Sequence, residues 1–547
     1  MGFFDRITNG VVAWGQDVVS RVAQPLREER ERMLAAREAL YRGEQYQGRG
    51  LAPSWDKAPI GQRRVPLRLQ KPSVQYDLPK LSVRRVTSML FGEGKHPALA
   101  FEIAGEAEGE EDNEKAVASW LDEIAERSGL WPAVLLWSRL SLAVGSGCLT
   151  WSVVEGDLEF RVLRSQHCIP SFDPKRPRKL VGLELRYKFA KVVREQSRDG
   201  AVTERLVDHW HREVWTADAH TVFVDAPVSE KGQEPRWLVA DEVQHGLGVV
   251  PAVWVRPLDD ADEGALDGEP MFEGVEDLVE DIDRVLSQKS RALRYNLDPT
   301  RVWFGLSEKD EQNVRTADGP AVSVSAKTDG ADVTQLELNG SSLEVAEAHA
   351  AAQRARALET TRVVSPDPDK LLAAANSGKA LEILYAPMLE LCGELRTSFG
   401  AALKQLISQI LDAVRSGPLG APGALAVPPP PIPAGKLCLR WGSYFAPTSQ
   451  DQANATNIAV SAVRERLLDR ETATRWLCKS LGISDVEAVV RALEEQRNSA
   501  PKPPTPSTQS SAGETKPAES APPSPASSAR QSDVEDANDD PNDPNDE

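Results

Sequence analysis

The amino-acid sequence predicts an α+β subunit, with a β-rich block set between helical segments and followed by helices long enough to run past several neighbours. Three observations carry that prediction. From residue 148 to residue 242, six segments (CLTWSVVEG, LEFRVLRS, LVGLELRYKF, RLVDHWHREVW, HTVFVDA and RWLVADE) alternate apolar and polar residues between turn signals, as half-buried strands do. Leu381, Leu384, Met388, Leu391, Leu395, Phe399, Leu403, Leu406, Ile410 and Val414 hold a three- and four-residue spacing, the pattern of a helix roughly 50 Å long. Hydrophobic residues make up 41% of the 547 and charged residues 27%, which excludes a wholly disordered chain.

Composition narrows the class further. Length alone allows roughly two to four domains or one composite subunit. Cysteines 148, 168, 392, 438 and 478 form no CxxC pair and leave one over, which argues against a disulfide scaffold or a cysteine zinc module and fits a reducing compartment. The most apolar run, Trp131 to Val144, is broken by Arg139, so no membrane span is expected. The start MGFFDRITNG lacks a basic n-region and an apolar h-region, and Arg6 stands where myristoylation wants Ser or Thr; neither a secretory signal nor a lipid anchor is expected. The net charge is −19 and the segment from Pro501 onward holds −7 of it, leaving −12 for residues 1–500. Such a balance argues against wrapping nucleic acid by broad phosphate neutralisation. The Pro/Ser/Thr/Ala tail has too few apolar residues to offset chain entropy and is expected to be disordered. Its closing Asp/Asn run lacks the glycine and flanking helices of a calcium loop.

The elements follow in order. Phe3, Ile7, Val11, Trp14, Val18 and Val22 mark an amphipathic helix over 3–22, and LREERERMLAAREALY a charged one over 26–41. Gly43 to Pro79, with the basic run GQRRVPLRLQK, reads as a solvated loop, with a phosphate contact the alternative. Helices are expected over 81–91 and 114–144, the latter pausing at Gly129 and Pro132 and ending at Gly145 and Gly147. After the six strand segments, GLGVVPAVWVRPL closes the β block. A helix over about 271–297 is acidic at its start and basic at its end, which suits its macrodipole. The short strands RVWFGL, AVSVSA and VTQLEL come next, then a helix over about 341–364 stopped by SPDPDK. The helix opening at Lys379 should kink near Leu384, because Pro387 cannot continue the backbone ladder. A Pro-rich connector (418–435), the strand KLCLRWGSYF and the capping sequence TSQDQ lead into helices over about 450–496.

No catalytic signature is present: no GxxxxGK[ST] loop, no GxGxxG after a strand, no GxSxG elbow and no HExxH. His209 and His211 would face one way on a strand, but two ligands do not make a metal site, and satisfied strand histidines are the plainer reading. The residues alone stop at a large α+β subunit with long helices, not an enzyme, and with no cofactor or metal implied.

Three segments and their order say more. VEDLVEDIDRVLSQKS, with Ile282, Asp283 and Ser290 at its centre, SGKALEILYAPMLELCGELRTSFGAALKQLI, and LCLRWGSYFAPTSQDQ resemble the stem helix, the start of the long wing helix and the strand leading to the crown in portal proteins of tailed double-stranded DNA bacteriophages, the fold shared by siphoviruses and myoviruses. The resemblance covers about residues 80–496. It implies wing over 1–268 and 379–448, stem helices over 269–297 and 341–364, a clip over 298–340, a tunnel loop over 365–378, a crown over 449–496 and an acidic tail over 497–547. It implies stem residues Asp283, Lys289, Ser290, Arg294, Arg354 and Arg356, and channel residues Asp367, Asp369, Lys370 and Asn376. It also implies a closed ring of this chain, commonly a dodecamer, at one vertex of the virion head, assembled in the host cytoplasm. Its partners would be double-stranded DNA in the channel, the terminase motor, a head–tail adaptor, the major capsid protein and a scaffold protein, with no membrane. The alternatives are another virion subunit of the tail or baseplate, and a metal-dependent hydrolase using His209 and His211.

Overall fold

A computed structural model describes residues 27–51, 66, 69–103, 110–196, 202–229, 235–259, 265–297, 301–304, 321–324, 332–335, 340–365, 378–421, 423–445, 448–481, 486 and 489–493. The chain divides into two units, Met1–Ser484 and Asp485–Glu547; the described residues of the second are helical. The expected helix over 3–22 and the acidic tail lie outside the described residues.

In the first unit, α1 (27–42) and α2 (Leu78–Phe91) precede the strand β1 (Ala98–Ile103). Helices α3 (Glu110–Arg127) and α4 (Leu130–Val144) are separated by Gly129, whose φ of 64° is the left-handed conformation glycine tolerates best. Pro132 causes no second pause, because it sits in the first turn of α4, where a missing N–H costs nothing. β2 (Gly147–Val154) lies between β3 (Asp157–Leu163) and β10 (Ala252–Val255) in a three-stranded sheet. β4 (Cys168–Asp173), β5 (Arg176–Gln196), β6 (Val202–Trp215), β7 (Ala219–Phe223) and β9 (Val239–Gln244) form a sheet in that order, and the short β8 (Ala226–Pro227) pairs with β6. β5 and β6 extend well past their alternating segments because the ladder continues from Leu183↔Trp215 out to Gln196↔Val202.

Helix α5 (Glu276–Leu297) starts later than the sequence suggests: Gly274, at φ 77°, turns the chain first, and Met271, Phe272 and Val275 are buried just before the helix. A small sheet follows, built from β11 (Arg301–Phe304), β12 (Ala321–Val324) and β13 (Asp332–Gln335), with β11 in the middle. α6 (Gly340–Thr360) then returns; Arg362 at φ 55° ends it before Val364. α7 (Gly378–Leu384) and α8 (Ala386–Ser416) are the expected long helix, interrupted at Tyr385 where Pro387 enters the next first turn. Strand β14 (Gly435–Arg440) pairs antiparallel with β1, Ala98 opposite Arg440. Thr448 opens α9 (Ser449–Arg464) with a complete capping box to Asp451, and α10 (Arg470–Leu481) follows.

The main core gathers around one face of α8. Phe399 is fully buried and meets Trp137 of α4 edge-on at 5.2 Å and Phe91 of α2 at 5.7 Å. Removing such a ring costs about 3–5 kcal/mol. α1 does more than its charged composition suggests. Arg30 grips both oxygens of Asp267 and donates to the carbonyls of Cys168 and Ser165, while Arg37 donates to the carbonyls of Val144 and Gly268. Gly145 is required here: at φ 94°, any Cβ would meet the Gly268 carbonyl oxygen. The helix thus ties the end of α4 to the segment entering α5.

Candidate functional site

The α5–α6 hairpin is the part of the fold whose arrangement calls for a function. The two helices run antiparallel. Small residues on α6 (Ala350 and Ala357, both buried) allow close approach beside Val279 and Ile282 of α5, also buried. Along the exposed seam, His349 Nε2 lies 2.9 Å from Asp281 Oδ2 and Gln353 donates to the same oxygen. Further out, Lys289 pairs with Glu347. Arg356 donates to Gln353, and Arg354 to the Ser365 hydroxyl while its guanidinium lies over the Tyr76 ring.

The root of the hairpin is built on Asp283, which is fully buried. Its Oδ1 accepts the Tyr76 backbone N–H at 2.6 Å, and its Oδ2 accepts the Tyr46 hydroxyl at 2.9 Å and the Gln45 amide at 3.3 Å. One turn later Ser287 accepts the backbone N–H groups of Ser73 and Val74 and donates to the Asp283 carbonyl. Burial pushes the Asp283 carboxyl up to about 6, against the lowering pull of the Tyr76, Tyr46 and Gln45 hydrogen bonds. Burial and the Asp283 charge push the Tyr46 phenol up in turn. Ser287 makes these anchoring contacts; Ser290, singled out from the sequence, is half-buried one position past Lys289. Of Arg294 only the helical backbone is described. Asp367, Asp369, Lys370 and Asn376 lie outside the described residues.

At the far side of that segment, α7 opens on Gly378, whose N–H donates at 2.8 Å to Asp451 Oδ2. A Cβ on Gly378 would come within 2.9 Å of that oxygen. Asp451 also completes the Thr448 capping box, so one carboxylate caps two helices. The hydrogen bonds from Gly378 and Thr448 hold it below the usual range. The acid that serves the first described amide of α7 thus comes from α9.

The strand histidines are accounted for without a metal. His209 Nδ1 lies 2.9 Å from the Val207 carbonyl. His211 sits between Asp225, 3.0 Å from Nδ1, and Glu213, 2.9 Å from Nε2. Burial pushes Glu213 up, but contacts with His220, His211 and Arg161 prevail and hold it at about 2. Among the described residues, no three His, Cys, Asp or Glu side chains are grouped to hold a metal ion, and no helix is long and apolar enough to cross a membrane.

An α+β subunit with a β-capped helical hairpin rooted beside a long broken helix is the class defined so far. The family described as phage portal protein, SPP1 Gp6-like, matches residues 137–417, just over half of the chain, and the chain belongs to that family. It is a phage-type structural component, and the family is not one of enzymes. A solved structure titled as the neck of an empty GTA particle, computed with C6 symmetry, is similar at 14% identity, covering 74% of this chain and 90% of that chain with a TM-score of 0.39. No curated protein matches the sequence.

Proposed function

We propose that the chain is the ring-forming portal subunit at one vertex of a phage head, and that the ring is the channel for packaging and ejecting double-stranded DNA. The observation that carries this is the hairpin: α5 and α6 pinned at one end by buried Asp283 and bearing the small β11–β13 sheet at the other. In this reading residues 269–297 and 341–364 are the stem and 298–340 the clip that docks the terminase motor and the head–tail adaptor. Residues 1–268 and 379–448 are the wing that meets capsid and scaffold proteins, 365–378 the tunnel loop, and 449–496 the crown. Asp283 roots the stem. Lys289, Ser290, Arg294, Arg354 and Arg356 line or brace it, and Asp367, Asp369, Lys370 and Asn376 repeat around the constriction.

A closed ring needs head-to-tail contacts between two different faces of the subunit. The −12 charge of residues 1–500 suits a wall past which a polyanion must slide, since dense phosphate neutralisation would retain it. Sedimentation and negative-stain imaging of the purified full chain test the reading. A chain of 59.8 kDa should form a species near 0.7 MDa if dodecameric, about twelve times the chain mass, with a central hole wide enough for a duplex. A monomer at micromolar concentration, with no ring on adding capsid or scaffold protein, refutes it.

A further inference from the structure

Between α2 and the chain on either side of residues 366–377 lies an open cleft of about 730 Å³. Its rim is basic: Lys80, Arg84, Arg85 and Lys95. Its floor is apolar, with Leu81, Met89, Tyr385 and Met388. Lys80 faces Asp77 at 3.6 Å. The other three cations meet no carboxylate among the described residues. Arg85 donates to the Val364 carbonyl at 3.4 Å and Lys95 to the Tyr444 carbonyl at 3.0 Å, while Arg84 is exposed and without a partner among those residues. In a chain whose first 500 residues carry −12, a cluster with three such cations over an apolar floor is an exception to the surrounding charge.

We infer that this cleft is a subunit–subunit docking site that takes an acidic helical surface of a second copy of the chain. This rests on the ring reading above and adds which face makes the contact. Three considerations favour a protein occupant over DNA. An apolar floor of leucine, methionine and tyrosine is covered by side chains, whereas a phosphate backbone would leave it wet. Half-buried Lys95, whose ammonium is disfavoured by burial, gains most from a carboxylate brought in by a neighbour that also excludes water. A set of unpaired cations on the path of sliding DNA would hold it through its phosphates. Charge complementarity supplies the occupant: copies of one acidic chain present carboxylates such as exposed Asp277 in the first turn of α5.

The test compares full-length wild type, Lys80→Glu/Arg84→Glu and the charge-conserving Lys80→Arg/Arg84→Lys by sedimentation, together with binding to a labelled DNA duplex. The reversed variant should lose about tenfold or more of its ring at equal concentration, as expected when interfacial charges are made repulsive, and the conserved variant should keep it. If wild type and reversed variant form rings equally, the docking site falls and the ring reading stands. If the wild type forms no ring, both fall. Unchanged rings with lost duplex binding would assign the cleft to nucleic acid and overturn the inference. Should the reversed variant misfold, a benzophenone side chain at position 84 replaces it. An adduct to an acidic peptide of a second copy is expected, and an adduct confined to the same chain overturns the proposal.

Discussion

Replacing Asp283 by asparagine should make the root of the α5–α6 hairpin insensitive to pH while keeping the bond from the Tyr76 N–H. Asp283 Oδ1 accepts the Tyr76 N–H, and Oδ2 faces the Tyr46 hydroxyl and Gln45. An asparagine keeps the first bond, and its two amide hydrogens find two acceptors: the Tyr46 oxygen, and Gln45 Oε1, which is buried with no partner of its own. The buried charge is removed, while the Tyr46 hydroxyl and the Gln45 N–H give up the carboxylate oxygen as their acceptor. The native carboxyl sits near 6, raised by burial from a reference value of 3.8. The folded state therefore holds a proton that the unfolded chain has released. This group's contribution to stability is fully present below about pH 4 and is lost as pH rises through 6. Two pK units correspond to about 3 kcal/mol. Asp283→Ala, by contrast, leaves the Tyr76 N–H, the Tyr46 hydroxyl and Gln45 unserved, at about 1–3 kcal/mol each. Because a chain of this size need not unfold in one step, amide exchange at residues 73–76 is the measurement of choice. Between pH 4.5 and 7.5 the wild type should lose protection there by about 25-fold, a little over one order of magnitude, relative to Asp283→Asn, after correction for intrinsic exchange, and Asp283→Ala should lose it at both. A wild-type-to-Asn ratio that does not change with pH, or an Asn variant as open as the Ala variant, would refute the reasoning.

Two further outcomes are expected. Glu213 titrates the opposite way: its folded value near 2 lies below the usual 4.5, so its stabilising effect is present above about pH 4.5 and fades as pH falls towards 2. Glu213→Gln should weaken amide protection in β6 and β7 at pH 7 and make little difference at pH 2.5. In the segment joining α6 to α7, Lys370→Glu or a short insertion should leave rings intact but impair DNA packaging or retention; normal packaging by correctly assembled insertion mutants would remove the tunnel-loop assignment alone.

Local signals in the sequence translated well where the cause is local. Pro387 broke the long helix at Tyr385, Gly129 separated α3 from α4, and Thr448 with Asp451 formed the expected capping box. The alternating segments became strands, although β5 and β6 outran them, because cross-strand pairing rather than alternation decides where a ladder stops. What stayed hidden depends on contacts distant in sequence. ALAFEI became β1 only because β14, at the other end of the chain, pairs with it. The charged composition of α1 gave no sign that Arg30 and Arg37 are inward-facing staples whose acceptors lie more than a hundred residues away. Asp283 could be selected from its surrounding segment, but not its burial, since Gln45, Tyr46 and Tyr76 come from what reads as a solvated loop. The sharing of Asp451 between two helix starts was equally invisible, for a cap donated from another helix leaves no mark beside Gly378.

The same contacts divide the hairpin into two mechanical regimes. At its root, Val279, Ile282 and Asp283 are buried, and Ser287 binds the backbone of residues 73–74. Opening the root would expose that apolar surface to water and break those hydrogen bonds, which costs several kcal/mol. Beyond Ser287 the pairing of α5 with α6 relies on partly exposed ion pairs such as Lys289 with Glu347, worth about 0–1 kcal/mol apiece. The gradient runs from fixed to yielding along one hairpin. Salt should act on the outer half and leave the root alone, because screening weakens exposed pairs and hardly reaches buried ones. Under the portal reading proposed above, a body seated in a shell whose far end meets changing partners needs that order of stiffness and not the reverse. On this reading Asp283 serves as the fulcrum: it is the last buried polar anchor before the helices depend on each other.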